Sequence, residues 1–226
     1  MAEGFRIREV WQRIDASVIA RAKDLPVSNI SDVMNRHAGA PGSLRAMHRK
    51  GAMAGPALTV SVRPGDNLML HKALIMAQPG DVIVVDAGGT LENAIMGELM
   101  LARGVQSGIA GVVIHGAIRD SESIGEQDTP VFASGLSHRG PYKDGPGEIG
   151  FPVTLGTMIV NPGDLVVGDQ DGVLAVPREA AAEILERAWT KNAAEDKQLK
   201  TTLAGQYDGS WIDEALKKHG CELVAS

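Results

Sequence analysis

Two stretches, Asp81-Val-Ile-Val-Val-Asp86 and Gly111-Val-Val-Ile-His-Gly-Ala-Ile-Arg-Asp120, decide the fold class. Each begins as a short apolar run rich in β-branched side chains, the pattern of a strand buried on both faces. Between them, Gly88-Gly89 supplies a tight turn, and a helix is predicted from about Gly97 to Arg103, closed by Gly104. Strand, helix, strand with short connections is a βαβ unit, with parallel strands and a right-handed crossover. The chain is therefore read as α/β.

Working outward, apolar spacing at Val10, Trp11, Ile14, Val18 and Ile19 predicts a helix from Ile7 to Leu25, ended by Pro26. Ser28 or Ser31 can cap a second short helix through Val33 and Met34, stopping near Gly39. Ala57 to Val62 reads as a strand, and Asp66 as the cap of a helix carrying Leu68, Leu70, Leu74, Ile75 and Met76. Short β segments are predicted at Val131 to Ala133, Val153 to Leu155, Met158 to Val160, Leu165 to Val167 and Val173 to Val176. Asp169-Gln-Asp-Gly172 suits a hairpin turn between the last two. Pro-Gly-Asp recurs at Pro64, Pro79 and Pro162 without a fixed period, as reused turn chemistry rather than a repeat. A long amphipathic helix is predicted from Arg178 to Leu203, with a short one over 211–218. Its apolar stripe needs a partner surface, which a neighbouring subunit can supply. Three segments follow: an N-terminal helical segment (1–45), an α/β core (46–178) and a C-terminal helical extension (179–226).

Composition narrows the function. Of 226 residues, 44% are hydrophobic and 22% charged, the balance of a globular chain with a real core. Aromatics are only 4%, so that core is built from Val, Ile, Leu, Ala and Met. A formal charge of −6 argues against a nucleic-acid partner, while one well-placed Arg with a cation still admits an anionic small molecule. Cys221 is the only cysteine, so no intramolecular disulfide forms. Met1 to Glu9 lacks the apolar stretch of a signal peptide, and no window approaches the ~20 apolar residues of a membrane span. No membrane partner and a cytoplasmic location are the expectations.

Ligands of α/β sheets bind at the carboxyl ends of parallel strands. Here those ends are Asp86-Ala-Gly-Gly89 and His115-Gly-Ala-Ile-Arg-Asp120. The amides of Gly97, Glu98, Leu99 and Met100 at the helix start form an anion nest. The guanidinium of Arg119 suits a carboxylate, Asp120 offers a hard oxygen ligand to Mg²⁺ or Mn²⁺, and Glu98 adds a second carboxylate for proton transfer. Other residues keep two readings. His115 is a hydrogen-bonded core histidine or a site group, and His71 packs or touches substrate. The loop Arg139-Gly-Pro-Tyr-Lys143 is an active-site lid or plain surface. Lys72 and Lys143 are the lysines available to a Schiff-base route, but neither has a visible apolar pocket. Histidine spacing argues against zinc, and Gly88-Gly89 lacks a dinucleotide fingerprint.

Glu98, twenty intervening residues and then Arg119-Asp120, set within Gly97-Glu-Leu-Met100 and Gly111 to Asp120, resembles the RraA-like family. Pro64-Gly-Asp-Asn67 and Pro162-Gly-Asp164 with Asp171-Gly-Val173 match it too, so the resemblance runs from about Ser31 to Leu203. The family includes class II 4-hydroxy-4-methyl-2-oxoglutarate / 4-carboxy-4-hydroxy-2-oxoadipate aldolases and regulators of ribonuclease E activity. An older methyltransferase label finds no glycine-rich adenosylmethionine loop here.

The resemblance implies a layered β/β/α fold with a parallel βαβ core, N-terminal helices and a long C-terminal helix. It implies a homotrimer or homohexamer with sites at subunit interfaces. It also implies a metal-dependent lyase that splits a hydroxy 2-oxo acid into pyruvate and a second 2-oxo acid and decarboxylates oxaloacetate. Arg119 would grip the pyruvyl unit, Asp120 hold Mg²⁺ or Mn²⁺, and Gly97 to Met100 bind substrate. Glu98 would orient a water at the metal, and Glu195 or Asp196 would reach in from a neighbouring subunit. Two positions depart from the pattern: Glu98 stands where aldolases usually carry Asp, and Ser123 where many members carry an acid. The alternative is a regulator that binds ribonuclease E without catalysis. The terminal helices and Glu98 favour the enzyme.

Overall fold

The structure, a computed structural model, describes residues 3–37, 39–222 and 224. In chain order its elements are β1 (Phe5–Ile7), α1 (Ala16–Ala22), α2 (Val27–Val33), β2 (Arg45–Ala46), β3 (Met53–Val62), α3 (Leu68–Met76), β4 (Val82–Asp86), β5 (Ala94–Met96) and α4 (Glu98–Gln106). There follow β6 (Gly111–Ile118), α5 (Ser121–Gly125), β7 (Val131–Leu136), β8 (Gly147–Ile149), β9 (Val153–Leu155), β10 (Met158–Val160), β11 (Leu165–Asp169), β12 (Gly172–Val176), α6 (Ala181–Leu203) and α7 (Ser210–Lys218).

The core follows the apolar runs. Strands β3, β4, β6 and β7 lie side by side and parallel, with Asp86 paired to His115 at the shared carboxyl edge. Strand β8 runs antiparallel along β3, β1 extends the sheet beyond β8, and β2 closes the far edge on β7. The first half of β3 pairs instead with β11, which forms a hairpin with β12 through the expected turn from Asp169 to Gly172. So β3 belongs to two sheet layers. Gly55 permits the crossing, because a Cβ there would stand 2.2 Å from the Gly80 carbonyl.

Three apolar layers result. Leu70, Leu74, Met100 and Leu101 of α3 and α4 pack on one face of the parallel strands with Ile83, Val85 and Ile114. Val84, Val113 and Phe132 on the other face meet Val153, Leu155, Met158, Val166 and Val173. Leu165, Val167, Leu174 and Val176 then pack against Ile14, Ile30 and Leu185 of the terminal helical layer. This is the layered α/β architecture with N-terminal helices and a long C-terminal helix. Among the described residues, no helix is long and apolar enough to cross a membrane.

Several sequence expectations shift. The first helix is shorter than Ile7 to Leu25: Phe5–Ile7 is drawn into the sheet by Gly147–Ile149, and Asp15 caps α1 by accepting from the Ser17 amide. Helix α4 passes through Gly104, because that glycine packs where a Cβ would meet Ile109 Cδ1 at 2.5 Å; the turn comes at Gly108, φ +72°. Strand β6 continues past His115 to Ile118. The three Pro-Gly-Asp segments are alike: Gly65, Gly80 and Gly163 take φ +78°, +88° and +85°. Each Asp amide reaches back three residues, to the carbonyls of Arg63, Gln78 and Asn161.

Candidate active site

The carboxyl edge of the parallel strands opens into a cavity of about 160 Å³. Asn67 and His71 of α3, Ala94 to Met96 of β5, Gly97, Leu99 and Met100 at the start of α4, Arg119, Asp120, Pro141 and Lys143 line it. The short strand β5 brings the two predicted loops together. It pairs in parallel with the end of β6, and the Arg119 amide donates to the Met96 carbonyl at 3.0 Å. That register sets Arg119-Asp120 against Gly97-Glu98.

Asp120 takes a left-handed backbone conformation, φ 57° and ψ 40°. Its Oδ2 accepts from the Glu98 amide at 3.0 Å and lies 3.7 Å from Arg119 Nε. Gly97 makes this possible: a Cβ there would stand 2.3 Å from Asp120 Oδ2 and 3.2 Å from Arg119 Nε. Arg119 and Asp120 keep 45% and 41% of their side-chain surface exposed, so both remain available to a ligand. The amide nest is narrower than four free N–H groups, because Glu98 donates to Asp120 and Met100 to the Gly97 carbonyl.

The remaining candidates separate. Glu98 is exposed beside the cavity, and its side chain does not line it. Leu99, 81% exposed, stands at the mouth. Glu195 lies on α6, where it accepts from Asn29 Nδ2 at 2.5 Å and pairs with Lys191 Nζ at 2.6 Å. Lys191 also bridges to Asp32, and its hydrogen bonds hold the Glu195 carboxyl below the usual carboxylate range. Within one chain Glu195 is thus not brought to the cavity.

His71 does reach the cavity, and burial, together with Lys143 and Arg103, lowers its pKa from 6.5, favouring the neutral ring. The loop from Arg139 to Lys143 is a pocket wall, with Tyr142 bonded through both its backbone groups to Gly65 and Asn67. Asn67 was missed as a wall residue, although it lies one helical turn before His71. It is 2% exposed, with Nδ2 donating to the Ile95 carbonyl and Oδ1 unpartnered. His115 sits outside the lining; its Nδ1 is 3.5 Å from Asp86 Oδ1 and makes no hydrogen bond.

Among the described residues no three His, Cys, Asp or Glu side chains cluster. Asp120 supplies the cavity lining with a carboxylate, the hard oxygen donor type that Mg²⁺ and Mn²⁺ prefer.

Residues 27–175 match the model of the RraA-like family, described as Aldolase/RraA. A Thermus thermophilus protein named 4-hydroxy-4-methyl-2-oxoglutarate aldolase is 31% identical over 150 residues, 66% of this chain and 91% of that protein. A Halalkalibacterium halodurans protein, to which the same name is given provisionally, is 36% identical over 178 residues, 79% of this chain and 85% of its own. The crystal structure of Streptomyces coelicolor RraAS2, titled an unusual member of the RNase ES inhibitor RraA protein family, superposes with a TM-score of 0.76 at 28% identity, covering 83% of this chain and 98% of that one. With its βαβ core, its Arg119-Asp120 edge and a family match across most of its length, the chain belongs to the RraA-like Aldolase/RraA family.

Proposed function

We propose that the chain is a divalent-metal-dependent carbon–carbon lyase that releases pyruvate from 4-hydroxy-4-methyl-2-oxoglutarate or 4-carboxy-4-hydroxy-2-oxoadipate, and that it also decarboxylates oxaloacetate. The observation that carries this reading is the convergence of Arg119, Asp120 and the start of α4 on one cavity. Arg119 binds and orients the substrate carboxylate, assisted by the amides of the α4 start. Asp120 would hold Mg²⁺ or Mn²⁺, whose Lewis acidity would stabilise charge on the 2-oxo oxygen.

A carboxylate takes the proton from the C4 hydroxyl, the C3–C4 bond breaks, and its electron pair moves toward the C2 ketone as an enolate. Protonation at C3 then completes pyruvate. Decarboxylation of oxaloacetate passes through the same enolate. Glu98, exposed beside the cavity rather than in its lining, is the candidate acid–base group from within the chain, and Glu195 is the candidate from a neighbouring subunit. Self-association into a homotrimer or homohexamer would deliver it. The outer half of α6 supports that arrangement, because Leu199 and Leu203 are 58% and 79% exposed.

The second reading, a non-catalytic regulator that binds ribonuclease E, draws on the likeness to RraAS2. One assay separates the two: pyruvate release from both hydroxy acids and from oxaloacetate, with Mg²⁺ or Mn²⁺ and then with EDTA. Turnover that stops on chelation is expected. Turnover indifferent to EDTA, or none on any substrate, would sink the lyase reading. Absence of measurable ribonuclease E binding would remove the regulator.

A further inference from the structure

One side of the cavity is built by neither α4 nor β6. Residues 137–143 follow β7 and bring Pro141 and Lys143 into the lining. They also set Gly140 against Arg119, where an added Cβ would lie 3.4 Å from Nη1. Backbone bonds fix both stems of this wall. The Ser137 amide donates to the Ile118 carbonyl at 2.9 Å, and the Arg139 carbonyl accepts from the Ala94 amide at 2.9 Å. At the other end the Tyr142 amide donates to Gly65 at 2.8 Å, and the Tyr142 carbonyl accepts from Asn67 at 3.0 Å.

The tip between those stems is held differently. Asn93 Nδ2 donates to the Gly140 carbonyl at 2.6 Å. Asn93 is itself fitted against Gly65, whose φ is +78° and where a Cβ would stand 3.2 Å from Asn93 Oδ1. The nearby Arg139–Glu92 pair is 62% and 77% exposed, a geometry that solvent weakens. Asn93 does not line the cavity, so any effect it has on a ligand passes through the loop.

We infer that Asn93 is a positioning residue: its amide holds Gly140, and so keeps the Pro141–Lys143 wall and the resting place of Arg119 in the geometry that receives substrate. The inference rests on reading this cavity as the substrate site. A wall of this kind meets substrate alike in the ground and transition states, so its loss appears in KM more than in kcat.

Asn93→Asp is the sharp test, because it keeps the shape beside Gly65, removes the donor and turns a second acceptor toward the Gly140 carbonyl. Asn93→Ala accompanies it, and Glu92→Ala serves as the control that loses only the exposed ion pair. Both Asn93 variants should raise KM for pyruvate release about five- to tenfold, with kcat within about twofold of the parent. Tryptic nicking after Arg139 and Lys143 in the folded protein should quicken by a similar factor, while Glu92→Ala changes neither readout.

Unchanged KM in Asn93→Asp, a loss confined to kcat, or an equal effect in Glu92→Ala would overturn the proposal. Should the parent protein release no pyruvate at all, the substrate reading fails separately. The nicking rates then still decide the clamp: faster nicking in Asn93→Asp supports it, and an unchanged rate overturns it.

Discussion

Three aspartates close the Pro-Gly-Asp turns, whereas a fourth, Asp120, stands at the left-handed turn after β6. The first three, Asp66, Asp81 and Asp164, are 0%, 1% and 4% exposed. Asp66 accepts from the amides of Leu68, Asp144 and Gly145, and Asp164 from those of Asn161 and Arg178. Asp81 accepts from the Gln78 amide and is gripped at both oxygens by Arg13. Asp120, in contrast, takes the Glu98 amide on Oδ2 and stays open to the cavity. The number of donors around a carboxylate decides whether it serves the fold or remains free for a ligand. Buried oxygens already taken by several amide or guanidinium donors have little capacity left for a further ligand.

Substituting Asp120 should have the largest effect on chemistry. Asp120→Asn keeps an acceptor for the Glu98 amide but loses the charge, and pyruvate release should fall about a thousandfold, equivalent to about 4 kcal/mol. Its melting temperature should stay close to the parent's. Retained activity would remove Asp120 from its proposed role as a metal ligand.

Asp81→Ala should do the converse. It removes a buried acceptor from the part-exposed Arg13 guanidinium and the Gln78 amide, and urea denaturation should register a loss of about 2 kcal/mol while turnover per folded molecule is preserved. Were activity lost before stability, the division between the two kinds of aspartate would be wrong.

Gly97→Ala probes the boundary, since the new Cβ displaces Asp120 without deleting it. A fall of about a hundredfold in kcat/KM is expected from that misplacement. Wild-type kinetics would show that the Asp120 position seen here is not needed.

The smallest effect concerns His71. Its folded pKa lies below 6.5, so in the window between the folded and unfolded values the unfolded chain binds more protons. Stability should therefore decline as pH falls through 6.5 and below, and His71→Gln should flatten that decline. An NMR titration of the ring should give a midpoint under 6.5, which Lys143→Ala raises only in part because burial is the larger cause. A midpoint at or above 6.5 would remove the neutral-ring reading.

The parallel core was legible because Asp81 to Asp86 and Gly111 to Ile114 are apolar runs too short for helices and bounded by turn residues. Arg119-Asp120 was legible as the end of such a strand. Short pieces were not: β5 and β8 have three residues each, and only their partners in the sheet define them. The helix over Ser121–Gly125 is likewise too brief to carry a period. Within the site, sequence pointed to the amides of Gly97 to Met100, but not to their partial use by Asp120 and Gly97. That depends on the left-handed turn at Asp120, which no local pattern announces. Asn67 and the Asn93–Gly140 bond were hidden for a related reason, since both join segments far apart in the chain.

The positive φ at Asp120 also bears on how this chain can change over time. A left-handed residue with a Cβ costs roughly 1 kcal/mol relative to glycine, although aspartate tolerates it better than most. Drift under selection for folding alone would be drawn toward glycine at that position, giving a sturdier backbone and an empty-handed site. On the proposed role of Asp120 as a metal ligand, a relative of this fold that carries glycine there should lack metal-dependent turnover, so the residue at this one turn offers a means of sorting members of the fold.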